Sequence, residues 1–108
     1  MSTKTDRELL ELAAKAAGIR LLEKGDGYWM IQSSDRGMKG WNPLLNDGDA
    51  LRLAVKLTLE IDVCLYRIAV RTQNGIKILV DSDECNDIYA ATRLAIVRAA
   101  AAIGEAMP

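Results

Sequence analysis

Histidine and phenylalanine are both missing from this 108-residue chain, cysteine and proline occur only twice each, and aromatic residues make up 5% of it. Each scarcity excludes something. Without histidine there is no Ser-His-Asp or Cys-His arrangement, no ordinary zinc site and no imidazole general base, which removes much of the enzyme repertoire. Cys64 and Cys85 fall inside an expected strand and at an expected helix start. That is poor spacing for a metal and a thin framework for a disulfide, so both read as free thiols of a reducing cytosol. The apolar neighbours of Cys64 favour an inert core thiol, while nearby acids oppose the thiolate that a helix N-terminus would promote at Cys85. No window approaches the roughly 18 consecutive apolar residues of a membrane span, and the N-terminus Met-Ser-Thr-Lys-Thr-Asp-Arg-Glu lacks an apolar signal core. The expectation is a soluble, unprocessed protein of the cytoplasm that needs no cofactor and no metal.

Strong charge of either sign is lacking as well: 14 basic residues stand against 15 acidic ones, a net of −1. That balance gives no global electrostatic footprint of a nucleic-acid binder. What is abundant is apolar material, half of the chain, enough for one core and one domain over residues 1–108.

Along the chain, Thr5 or Asp6 can cap a first helix whose Leu9, Leu10, Leu12, Ala13, Ala16 and Ala17 recur at helical spacing until Gly18. Its polar side alternates in sign, with Arg7 to Glu11 and Glu11 to Lys15 as i,i+4 pairs. Gly25-Asp26-Gly27 is turn chemistry between Ile19 to Leu22 and Tyr28 to Gln32, either a hairpin or one strand and its approach. The polar run Ser33 to Gly40 reads as a mobile loop whose end Met38 and Trp41 fold back on the core. A second helix is expected from about Asp49 to Thr58, capped by Asp47 or Asp49. Its Leu51, Leu53, Ala54, Val55 and Leu57 wrap so much of the surface that contact with more than one layer is implied.

Ile61 to Val70 reads as a strand apolar on both faces, hence a sheet covered on both sides, with Arg67 marking an edge. Asn74-Gly75 before Ile76 to Val80 signals a hairpin closed by a type I′ turn. Ser82 or Asp83 then caps a long helix from about Cys85 to Ile103, ended by Gly104, with Asp83, Glu84 and Asp87 at its positive end. Its alanines permit close approach to a sheet or a partner. The order is α-β-α-β-β-α, an α+β fold of three layers: an α/β/α sandwich with a small antiparallel or mixed sheet and helices on both faces.

Among possible sites, Asp47 with Asp49 and the group Asp81, Asp83, Glu84 and Asp87 are the candidate magnesium or calcium ligands; the second group lacks the mid-loop glycine and distal glutamate of an EF-hand, and capping explains it better. A carboxylate-metal enzyme using Asp81, Asp83 and Glu84 is therefore a third reading. Nucleic-acid binding through Arg67 and Arg71 on one strand, or through Arg93 and Arg98 on the last helix, with Trp41 for stacking, is the alternative. Core duty is the first expectation for Trp29 and Trp41. If a partner surface exists, it is expected around Arg36, Met38, Lys39 and Trp41, where two cations, a methionine and a tryptophan stand close in sequence.

Trp41-Asn42-Pro43-Leu44, Asp47-Gly48-Asp49-Ala50-Leu51-Arg52-Leu53-Ala54 and the run Ala90 to Ala101 together resemble small bacteriophage and prophage proteins of the phage ABA-sandwich family. The resemblance spans most of the chain from Trp41 onward. It departs from the pattern at Leu45-Asn46, where a more acidic pair is usual, and at Leu94, where a second arginine is common; both differences would alter a surface rather than the fold. The resemblance implies an α/β/α sandwich and a phage or prophage origin, and brings neither an activity nor catalytic residues. With the residue inventory, it leads to an accessory protein that acts by binding, through self-association or contact with a host protein, and modulates host physiology or defence without catalysing a reaction.

Overall fold

Thr5 opens the first helix, α1 (Asp6–Ala17), with a reciprocal cap: its hydroxyl accepts from the Glu8 N–H at 3.2 Å and its own N–H donates to Glu8 Oε1 at 3.0 Å. Gly18, at φ 70°, closes the helix in the left-handed conformation that glycine adopts without strain. Leu9, Leu10, Ala13, Ala14 and Ala17 form the buried face. The computed structural model describes residues 4–24, 28–33 and 37–108.

Three antiparallel strands follow: β1 (Leu22–Lys24), β2 (Tyr28–Ser33) and β3 (Gly37–Trp41), in that spatial order. The hairpin alternative is the one present, but its first strand is Leu22–Lys24 and not Ile19 to Leu22; the turn residues 25–27 lie outside the described residues. Gly37 to Gly40 is a strand and not loop, because it pairs residue by residue with β2, from Ser33 opposite Gly37 to Trp29 opposite Trp41. Pairing with a formed neighbour outweighs the weak strand propensity of its two glycines. Both tryptophans are core residues, and the Arg7 guanidinium lies 5.0 Å from the centre of the Trp29 ring.

Helix α2 (Asp47–Lys56) starts two residues earlier than the sequence suggested, because Asn46 is the cap: its Oδ1 accepts from the Asp49 N–H at 2.9 Å. The helix ends in a Schellman arrangement, with Leu59 N–H donating to the Ala54 carbonyl and Thr58 N–H to that of Val55. Thr58 occupies the left-handed position at φ 54°, uncommon for a β-branched residue.

Ile61 to Val70 is not one strand. It is a hairpin of β4 (Glu60–Val63) and β5 (Arg67–Arg71), closed where the Cys64 N–H donates to the Arg67 carbonyl at 2.9 Å. No glycine, asparagine or proline marks the reversal at Leu65 and Tyr66, so the turn was silent in the sequence. It also changes the phase of the side chains. Ile61, Val63, Ile68 and Val70 share the inner face, while Glu60, Asp62, Arg67, Ala69 and Arg71 share the outer one. The outer face is accordingly polar, with cross-strand ion pairs Arg71–Glu60 at 3.3 Å and Arg67–Asp81 at 3.0 Å, and the expected dry cover on that side is absent among the described residues. Cys64, expected in the core, is exposed beside this turn.

Strand β6 (Lys77–Asp81) pairs with β5. Gly75 alone in that turn has a positive φ, 94°, and it donates to the Thr72 carbonyl while Thr72 N–H donates to that of Ile76. This is a three-residue loop with a bulge glycine rather than the expected type I′ turn. After a 3-10 turn at Ser82–Glu84, Asp87 caps helix α3 (Ile88–Ala106) by accepting from the Tyr89 N–H at 3.0 Å. The cap falls at Asp87, not Ser82 or Asp83, because Asn86 at φ 54° breaks the path between the two helical segments. Gly104 lies inside the helix and is not its stop.

The α+β sandwich is therefore present, with its strands divided between two three-stranded antiparallel sheets. Helix α3 is the shared wall: it packs on β5 and β6, on α1 and on α2. That is why Ala91, Ala95, Ala99, Ala100 and Ala101 are buried around much of its circumference. Among the described residues no helix is long and apolar enough to cross a membrane.

Candidate binding groove

The Trp41–Asn46 connection is held by its own polar groups. Asn42 Oδ1 accepts from the Leu44 N–H at 3.0 Å, the Asn42 N–H donates to Asp49 Oδ2 at 2.9 Å, and Pro43 is fully buried. Asp49 is only 6% exposed, and its other oxygen accepts from Arg52 at 2.9 Å. Arg93 then bolts α3 to this connection: Nε donates to the Leu44 carbonyl at 2.9 Å and Nη1 to Asp47 Oδ1 at 2.6 Å. Two hydrogen bonds from a planar guanidinium fix direction as well as distance.

Asp47 and Arg93 form one wall of an apolar groove of about 430 Å³. Its sides are Ala50 and Leu51 of α2, Ile61 and Val63 of β4, and Ile88, Tyr89, Thr92 and Ile96 of α3. Leu51 is 62% exposed, Val63 54% and Tyr89 68%. Val55, one turn beyond Leu51, is exposed too. The wide apolar surface of the second helix thus has one side, Leu53 and Ala54, in the core and another, Leu51 and Val55, that no described residue covers. The sequence signalled an extra contact at this helix but not its place. Val63 and Tyr89 carried no signal, since one depends on the silent turn and the other on the true position of the α3 cap.

The candidate residues that the sequence offers are distributed differently. Arg36 lies outside the described residues. Met38 is exposed, Lys39 half-buried and Trp41 buried in the core; strand alternation sends Met38 to the face opposite Lys39 and Trp41. Arg67 and Arg71 lie on the outer sheet face, each beside a carboxylate, while Arg93 and Arg98 are on α3, paired with Asp47 and with Glu84 at 3.3 Å. These four cations occupy two surfaces, and each meets an acid. The carboxylates are equally occupied: Asp81 with Arg67, Glu84 with Arg98, Asp87 at the α3 cap. Among the described residues no three Cys, Asp or Glu side chains gather as a metal ion would require.

Compared with known protein families, curated proteins and solved structures, the chain matches none.

Proposed function

We propose that this domain works by binding another protein molecule through the groove between α2, β4 and α3, and not by catalysis. The single observation that carries the reading is the exposure of Leu51, Val63 and Tyr89 around an apolar cleft whose Asp47–Arg93 wall is fixed by hydrogen bonds. Scattered apolar residues are normal on a surface, whereas a contiguous apolar concavity with one polar rim is what interfaces use. An accessory protein of a phage or prophage, meeting a host protein or a second copy in the host cytoplasm and so modulating host physiology or defence, is the setting implied by the resemblance of the Trp41 to Ala54 and Ala90 to Ala101 runs.

Sedimentation and affinity capture from lysate test this, each performed on the wild type and on Leu51→Lys. Leu51 is exposed, so the substitution removes no core packing and the variant should fold. Loss in Leu51→Lys of either a concentration-dependent dimer or a captured protein is the expected outcome. A wild type that stays monomeric and captures nothing, or captures the same proteins as the variant, overturns the reading.

A further inference from the structure

The groove has an open strand as one of its sides. In an antiparallel ladder, residues alternate between bonding to one neighbour and bonding to the other. The Cys64 N–H bonds to the Arg67 carbonyl, and the register continues as Asp62 opposite Ala69 and Glu60 opposite Arg71. Glu60, Asp62 and Cys64 therefore spend their backbone groups on β5. The turn after β5 agrees, since the Thr72 N–H bonds to Ile76 on the other side. Ile61 and Val63 consequently direct N–H and C=O away from the sheet, and no described strand pairs with β4 on that edge. The side chains of these same two residues line the groove.

We infer that the β4 edge receives an extended segment of a partner protein as a fourth strand, with alternating apolar and basic side chains. The backbone of that segment bonds to Ile61 and Val63. Its apolar residues enter the groove beside Leu51 and Tyr89, and its basic residues lie on the outer face opposite Glu60 and Asp62. The charge on that face chooses the occupant. Asp62 stands opposite Ala69 without a cation among the described residues, and Glu60 meets only Arg71 at 3.3 Å.

A second copy is the wrong occupant for this edge. A two-fold pairing that sets Ile61 against Ile61 places Asp62 opposite Glu60, and one that sets Ile61 against Val63 places Asp62 opposite Asp62. Directly opposed like charges destabilise a strand pair, and charged residues on an edge are a common guard against self-pairing. A partner strand with lysine or arginine at those positions turns the same guard into an attraction, while main-chain bonds supply affinity and side-chain pockets supply selectivity.

This inference rests on the groove-binding reading and narrows it. The test is hydrogen exchange and chemical-shift mapping of the full labelled chain with a capped decapeptide of alternating lysine and valine. Saturable binding that slows exchange of the Ile61 and Val63 amides at least tenfold, weakens with salt, and is at least tenfold weaker for a glutamate–valine peptide is expected. The exposed substitution Asp62→Lys should shift the preference toward the glutamate–valine peptide. Unprotected Ile61 and Val63 amides, or equal binding by a lysine–valine peptide N-methylated along one edge, would overturn strand addition. An amphipathic helical peptide that shifts Leu51 and Tyr89 without protecting β4 would overturn it too, yet leave the groove reading standing. That reading falls separately, by the Leu51→Lys comparison.

Discussion

Gly104 of α3 rests against the main chain of Leu12 of α1. A Cβ at Gly104 would lie 2.9 Å from the Leu12 carbonyl carbon and closer still to its oxygen, and neither backbone can swing aside as a side chain would. Here glycine serves close helix approach, not a helix stop. Lys4 pairs with Glu105 at 2.7 Å and Lys15 donates to the Met107 carbonyl at 3.1 Å along the same contact.

Gly104→Ala sets two effects against each other. Alanine improves helix propensity by about 1 kcal/mol, while forcing an extra carbon into a packed interface costs about 1–3 kcal/mol. With backbone as the obstacle the second effect wins, and a net loss of up to about 2 kcal/mol is expected, visible as a lower midpoint in thermal melting. A variant that melts above wild type would show that the helices do not cross this closely.

Thr58→Asn should act in the opposite direction. Thr58 holds φ 54° at the end of α2, and a branched side chain there costs on the order of 1–2 kcal/mol. Asparagine tolerates the left-handed region and avoids the extra unfolded-state entropy that glycine would bring. A gain of about 1 kcal/mol in urea denaturation is expected; an unchanged or lower midpoint contradicts the Schellman ending.

How far the sequence carried these features depended on local signals. A cap at Thr5 or Asp6, the Gly18 stop and the α1 stripe are contained within a few residues and are legible in the sequence, whereas the return bond from Glu8 that chooses Thr5 comes from the structure. Asn46, Asp47 and Asp49 are three good capping residues within four positions, and tertiary contacts make the choice: Asp49 is recruited by the Asn42 N–H and Asp47 by Arg93, which leaves Asn46 as the cap. The division of Ile61 to Val70 was illegible for a different reason. Cys64-Leu65-Tyr66 has no turn chemistry, and a reversal there changes which residues of the second half share a face with Ile61 and Val63. The groove is illegible for the same reason, because the silent turn is what ends β4 at Val63 on the groove side.

Arg93→Ala should release the Trp41–Asn46 connection. The Leu44 carbonyl and Asp47 both lose their donor, at a cost of about 1–3 kcal/mol. Arg93→Lys should recover only part of this, because an ammonium lacks the planar fork that reaches both acceptors. Urea denaturation of the two variants, ranked wild type over Lys over Ala, checks it; equal midpoints would mean that the fork contributes nothing.

Glu8 supplies a pH dependence of definite sign. The Thr5 backbone N–H, then the Thr5 hydroxyl, hold its carboxyl below the ordinary value of 4.5, with Lys4 adding a smaller pull. A carboxyl lowered in the folded state contributes stability above its unfolded value and loses it as pH falls through the folded one. The difference in melting temperature between wild type and Glu8→Ala should be constant near neutral pH and shrink in acid below pH 4.5. A difference that persists unchanged into strong acid would rule out the ionised cap.

Because α3 is the common wall for α1, α2, β5 and β6, neither half of the chain owns a finished interior. The half before Thr58 has its tryptophan-bearing sheet and α1 but not the helix against which α1 packs; the half after it has that helix with its other sides bare. Unfolding should accordingly be one cooperative event, and a cut at the Thr58 junction should yield two fragments that are disordered apart and regain their fold by complementation when mixed.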